Sequence, residues 1–357
     1  MTLARPDRAR SAPENAPEEG AGTGVGVRLV QIADDRDGQR IDNFLIGQLK
    51  GVPKSLIYRI LRTGQVRING KRAKQGVRLH AGDQVRIPPV RTAEPGGGAM
   101  PPAAMIEQVE QAIVFEDRDF LVIDKPSGIA SHGGSGVTFG AIELLRASRP
   151  DETLELAHRL DRDTSGILVF AKKRSALTGL QELIRENQTT KQYLALLKGH
   201  THKARFDVNA PLRKSLLQGG ERMVRVAEDG KPSLTRFHIV DIFADASLAE
   251  VTLFTGRTHQ IRVHAQHIEH PLAGDEKYGE KGFNQNMRGV GLKRLFLHAA
   301  RFEFELEGKS YSFSAPLAPD LAAVVDAFGW SRAPFLFAAV TGTGLAISLL
   351  LWRLTKR

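Results

Sequence analysis

The chain has 357 residues, 41% of them hydrophobic and 25% charged, enough for two domains and a sizeable core. Fifty Lys and Arg against 40 Asp and Glu leave +10 at pH 7, a balance that suits a polyanion such as nucleic acid better than a small neutral substrate. With no cysteine, disulfides and cysteine-ligated zinc or iron–sulfur clusters are excluded, which fits a reducing, cytoplasmic setting. Residues 1–27 are rich in Pro, Gly, Ala and Glu and carry no apolar h-region, so they predict a disordered tail and not a signal peptide.

Residues 28–90 hold most of the positive charge, 13 Lys and Arg against 5 Asp. Eight of these bases, Lys54, Arg59, Arg62, Arg67, Lys71, Arg72, Lys74 and Arg78, fall between 54 and 78 without one acid among them. Beneath the charge lies an apolar period. RIDNFLIGQLK sets Ile41, Phe44, Leu45 and Leu49 on one helical face, and SLIYRILR does the same with Leu56, Ile57, Ile60 and Leu61. A strand over 66–68 then meets the Asn69-Gly70 turn, and a Gly82-Asp83 turn leads into a strand over 85–87. This helix-helix-strand order with a basic rim resembles the S4 domain, and the resemblance implies an RNA-binding module whose phosphate contacts come from those bases. The following RTAEPGGGAMPPAAM opens a semi-flexible linker, 91–109.

The second domain, 110–325, opens with short apolar strands over 113–115 and 120–123 and a turn carrying Pro126 and Gly128. A helix is predicted over 140–147, a strand in ILVFAK and an amphipathic helix over 175–186. RFHIV, LAEVTLF and RFEFELEG read as strands of a mainly antiparallel sheet. No regular βαβ succession with a Gly-rich phosphate loop appears, so the fold class is α+β with a mixed sheet.

HRLDRDTSG, 158–166, places Asp161 between Arg159 and Arg162. A carboxylate among guanidinium groups is suited to act as nucleophile or base, because positive charge favours its ionised form; the same pattern also describes a surface ion pair. DKPSG (124–128), HRLDRDTSG, KQYLAL (191–196), GRTHQIRVH (256–264), HPLAGDEKYG (270–279) and LHA (297–299) stand in an order and spacing that resemble the RluA/RluC/RluD family of pseudouridine synthases. The resemblance runs from Gln31 to Leu317. GQRIDNFLIGQLKGVPKSLIYRILRTGQVRING, HGGSG and GGERMVRV look most like its RluC branch, which modifies uridines of 23S rRNA.

The resemblance implies an isomerase that breaks the N1–C1′ bond of uridine, turns the uracil and joins C5 to C1′. No cofactor or metal is needed, because no group is lost and no redox change occurs. It makes Asp161 the essential carboxylate, acting by attack on C1′, by addition to C6 or by removal of the C2′ proton. Tyr193 matches the family tyrosine of the site, where the C5 proton must leave after rejoining. Arg262 matches the arginine that pairs with the aspartate and can hold both its oxygens. Arg159 matches the side chain that fills the stack vacated by an extruded uridine. From the residues alone, THQIRVHAQHI predicts a helix capped by Thr258 with Ile261, Ala265 and Ile268 toward the core.

Two other classes remain to be weighed. A nucleoside or RNA glycosidase would also cleave a glycosidic bond, but Asp161 and Asp163 carry no paired-carboxylate signature. An S4 binding protein with an inactive second domain is disfavoured by intact Asp161, Tyr193 and Arg262. His259, His264, His267 and His270 lack a zinc pattern and are read as structural. In the extension 326–357, residues 335–352 form an uncharged run of 18, the lower limit for a membrane span. Its glycines, threonines and following bases instead predict a helix docked on protein.

Overall fold

The computed structural model describes residues 26–49, 52, 54–90, 100–134, 137–216 and 222–329. The chain divides into two compact units, 1–99 and 100–357. In the first, β1 (Arg28–Gln31), α1 (Ile41–Gln48), α2 (Lys54–Arg62), β2 (Arg67–Ile68), β3 (Lys71–Arg72) and β4 (Gln84–Ile87) follow in order. The two helices carry the apolar faces read from the sequence: Ile41, Phe44, Leu45, Leu49, Ile57, Ile60 and Leu61 are buried together, with Leu56 at the margin. Asn69 and Gly70 both take positive φ, 49° and 78°, the conformation a two-residue turn between β2 and β3 requires. The sheet has the order β1-β4-β2-β3.

The second unit begins earlier than the sequence predicts. Residues 103–109 of the expected linker are helical, in α3 (Ala103–Gln111), and Val109 is fully buried. The two prolines before it precede the helix instead of breaking one, because proline lacks only an N–H that a first turn leaves unpaired, and AAMIEQVEQ then favours the helix.

Next come β5 (Ile113–Glu116), β6 (Phe120–Lys125), α4 (Ala141–Ser148), β7 (Glu155–Leu156), β8 (Ser165–Ala171), α5 (Arg174–Arg185) and β9 (Thr190–Lys198). They are followed by β10 (Arg205–Asn209), β11 (Leu212–Leu216), β12 (Arg222–Val226), β13 (Leu234–Ile242), β14 (Ala246–Leu253) and α6 (Gln260–His267). The unit closes with α7 (Lys281–Gly289), β15 (Leu297–Leu306), β16 (Lys309–Ser314) and α8 (Pro319–Ala327), the last running two residues past the expected boundary at 325.

A ten-stranded sheet in the order β10-β13-β14-β9-β15-β8-β6-β5 organises this unit, with β16 on β15 and β7 on β8; β11 and β12 form a separate ribbon. Its pairings are antiparallel apart from β15 with β8. β8 is buried at every position and β6 at nearly every one because both faces are covered. Leu121, Ile123, Leu168 and Phe170 enter the core shared with α3, α4 and α6, while Phe120, Val122, Ile167 and Val169 enter the one beneath α5. At the parallel junction, Gly166 (φ 110°) lies so close to β15 that a Cβ would fall 2.2 Å from the Ala299 carbonyl oxygen.

One element departs from its expected form. α6 starts at Gln260 and is capped not by Thr258 but by His259, in a left-handed conformation, φ 55°. The entry turn is fixed by the Gln260 side chain, whose Oε1 accepts from Arg257 N (3.0 Å) and Thr255 Oγ1 (2.8 Å). Ile261 and Ala265 are buried as predicted, but so are Gln260, Arg262, Val263 and His264. Arg262 therefore does not sit on an exposed helix face. Residues 335–352 lie outside the described residues, as do most of 1–27; among the described residues no helix is long and apolar enough to cross a membrane.

Candidate active site

Asp161 sits in the loop between β7 and β8, and the DKPSG turn holds that loop in place. Lys125 is fully buried, and its ammonium donates to the carbonyls of Pro126 (2.8 Å), Ile129 (2.7 Å) and Arg162 (3.2 Å). Burial pushes Lys125 down to about 7, yet three carbonyl acceptors need the three N–H bonds that only the ammonium supplies. Gly128 N and Ser127 Oγ donate to the carbonyls of Arg162 and Asp163, both at 2.9 Å. Ser131 Oγ bonds both N–H and C=O of Leu160. Leu160, Arg162 and Asp163, on both sides of Asp161, are thereby tied to residues 125–131.

The Asp161 carboxylate faces a cleft of about 510 Å³ lined in part by Arg159, Lys191, Tyr193, His259 and Arg262. Neither neighbour in sequence supplies its cation. Arg162 is exposed and pairs with Asp163 at 3.1 Å, and Arg159 is exposed at the cleft. The guanidinium comes from α6, where Arg262 Nη1 lies 3.4 Å from Asp161 Oδ2. Its two-pronged grip, expected on Asp161, is instead on Asp275: Nε to Oδ2 at 2.7 Å and Nη2 to Oδ1 at 2.8 Å. Asp275 is 1% exposed and also accepts from Lys277 N (2.9 Å) and Tyr278 N (3.0 Å). Burial disfavours its charge, but Arg262 and these N–H groups outweigh that and hold it below the usual carboxylate range. Arg262 is raised in turn, Asp275 overcoming the cost of burial, and packs over the Tyr278 ring at 5.0 Å. Asp275 thus fixes the guanidinium and leaves Nη1 for Asp161.

A second arm reaches the same carboxylate. His259 Nε2 lies 3.8 Å from Asp161 Oδ2, and its Nδ1 is 2.8 Å from the Tyr278 hydroxyl. That hydroxyl accepts from Val224 N at 3.0 Å and has its own proton to offer Nδ1, an arrangement in which the neutral imidazole carries its proton on Nε2, toward Asp161. Burial, first, and Arg262 among its neighbours lower the His259 pKa and favour this neutral form.

Tyr193 projects from β9 and is 9% exposed; its pKa is raised by burial and then by the charge of Asp161. The phenol therefore stays protonated at neutral pH, which argues against a phenolate base at C5 and for a wall against which a base can lie. His158 accepts from Val169 N and stacks on Phe302 at 4.6 Å, which helps to shape the loop. The remaining histidines are dispersed: His264 bonds Thr235 Oγ1 and the Ala210 carbonyl, His270 bonds the Lys198 carbonyl, and His267 is exposed.

In the first unit Arg59, Arg62, Arg67, Lys71, Arg72 and Lys74 are all exposed, and none pairs with a carboxylate among the described residues. Arg62, Arg72 and Lys74 line a shallow groove with Tyr58, and Arg72 donates to the Arg62 carbonyl. Arg59, Arg67 and Lys71 lie outside that groove; the Lys54 side chain lies outside the described residues.

Sequence reasoning missed Asp275, His259 and Tyr278 as parts of the site. All three lie inside quoted motifs, but their pairing depends on how the chain turns after α6, which no spacing rule encodes.

The RNA pseudouridylate synthase family model matches residues 119–267, and the S4 domain model matches 39–85. The chain is 52% identical over 305 residues to the ribosomal large subunit pseudouridine synthase C of Pasteurella multocida, covering 84% of this chain and 94% of that one. To the protein of the same name from Escherichia coli K12 it is 54% identical over 286 residues, 79% and 90% of the two chains. Among solved structures, human RNA pseudouridylate synthase domain containing 1 matches with a TM-score of 0.52 and 28% identity, over 63% of this chain and 90% of that one. Identity at more than half the aligned positions and across four-fifths of its length makes the chain a member of the RNA pseudouridylate synthase family.

Proposed function

We propose that the chain isomerises uridines of large-subunit rRNA, 23S rRNA, to pseudouridine in the cytoplasm without a cofactor. The observation that carries this reading is the Asp161 carboxylate in an open cleft, 3.4 Å from an arginine that a second, buried aspartate holds in position. Such a carboxylate can attack C1′, add to C6 or remove the C2′ proton, and Arg262 stabilises it without competing for both oxygens. Tyr193 supports the uracil, and Arg159, exposed at the cleft, is placed to occupy the stack left by an extruded uridine. Arg59, Arg62, Arg67, Lys71, Arg72, Lys74 and Lys54 of the S4 domain supply phosphate contacts that set position on the RNA and not the choice of base.

Carbodiimide-dependent primer-extension stops on rRNA from a strain lacking the gene test this. Particular large-subunit stops should vanish and return with the wild-type chain but not with Asp161→Asn. An unchanged stop pattern would contradict the assignment.

A further inference from the structure

We propose that Lys191 binds a backbone phosphate of the target nucleotide inside the catalytic cleft, an inference that rests on the reading of that cleft as a uridine isomerase site. Lys191 and Tyr193 stand two apart on β9, so both side chains leave the same face of the strand, roughly 7 Å apart along it. Both line the cleft that Asp161 faces. Lys191 pairs across the ladder with Phe302, which stacks on His158, and its charge acts on the His158 ring.

Lys191 is only 8% exposed, its stem buried and its ammonium still in reach of water at the cleft, where it makes no hydrogen bond or ion pair with protein among the described residues. That sets it apart from the other buried cations of the site, since Lys125 has three carbonyls and Arg262 has Asp275 and Asp161. Asp161 acts electrostatically on Tyr193, His259 and Arg262, but burial alone acts on Lys191, lowering it to about 8, with no carboxylate to offset the loss of water. A charge with little hydration and no carboxylate beside it leaves an open place on the cleft wall, and the partner that best fits it is an anion entering the cleft. In RNA that anion is a phosphodiester. A uracil carbonyl would answer one N–H and leave the charge unbalanced, whereas lysine serves phosphate as a point charge. Asp161 acts on Tyr193 but not on Lys191, so Lys191 serves the nucleotide away from the reacting carbon.

The test uses the full-length protein and a large-subunit rRNA fragment tritiated at uracil C5. Wild-type protein should release tritium, and failure to do so would overturn the isomerase reading and this proposal together. Given that release, Lys191→Met should weaken RNA binding about tenfold, the effect of losing a hydrogen bond to a charged group. The slope of log affinity against log salt should fall by about 0.7, one single-strand phosphate contact, and Lys191→Arg should restore it. The thermal midpoint of the free Lys191→Met protein should be unchanged or higher, because the ammonium has no protein partner to lose and methionine keeps the buried stem. Wild-type affinity and salt slope in Lys191→Met, with tritium release intact, would overturn the phosphate assignment alone. So would a lowered thermal midpoint in both Lys191→Met and Lys191→Gln, which would make Lys191 a packing element.

Discussion

Asp161 depends on residues far from it in the chain. Its cation arrives from Arg262, and Arg262 is aimed by Asp275. Asp161→Asn keeps the shape and removes the charge, so nucleoside chromatography of treated rRNA should find no pseudouridine while RNA affinity stays near wild type. Asp275→Asn leaves Arg262 buried without its full partner. Breaking a buried pair from one side costs about 3–5 kcal/mol, so the thermal midpoint and turnover should both fall. A variant with wild-type turnover would show that Arg262 needs no such anchor. Acid titration reads another buried group. His298 is fully buried and bonded to Ser165 Oγ, and burial holds it at about 4 against an ordinary 6.5. Between those values the unfolded chain binds a proton that the native chain does not, so stability present above pH 6.5 is lost as pH falls toward 4. The thermal midpoint should drop through that window, and the drop should be smaller in His298→Gln. Asp161 and Arg262 were legible through motif resemblance. Asp275 was not, because a carboxylate 13 residues from its arginine shows its role only once helix and turn are folded against each other.

At the scale of elements, the DKPSG turn and the Asp161 loop form one unit joined by Lys125, Ser127, Gly128 and Ser131. Lys125→Met would leave the Pro126 and Ile129 carbonyls without their donor, at about 1–3 kcal/mol each where water cannot replace it, while the Arg162 carbonyl keeps the Gly128 N–H. The expected result is a lower thermal midpoint and reduced turnover with RNA affinity retained; turnover at the wild-type rate would show that the loop holds its shape without this tie. α1, α2 and α5 were readable because their apolar period agrees with burial, and β8 because a continuous apolar run fits a strand covered on both faces. α6 was misread at its start because a threonine ahead of an apolar period signals a cap, whereas here a glutamine side chain holds the entry turn. α3 was hidden by the glycines and prolines before it.

Across the whole molecule, an S4 unit supplies unpaired surface charge and a separate catalytic unit supplies the cleft. Arg62, Arg72 and Lys74 line one groove, so replacing all three by Gln should lower the salt slope of RNA binding by about 2 units if each meets a single-strand phosphate. An unchanged slope would mean that this groove does not touch RNA. The two-unit plan was legible from charge asymmetry and the Pro/Gly stretch, while the tenfold sheet order was not, since strand neighbours such as β15 and β8 are separated by more than a hundred residues. The account rests above all on isomerisation at Asp161, and release of tritium from rRNA labelled at uracil C5 reads that event directly, because C5 loses its hydrogen only when it bonds to C1′. Wild-type protein should release tritium to water without freeing uracil, and Asp161→Asn should release none. Free uracil that retains its tritium would mean a glycosidase and would contradict the account.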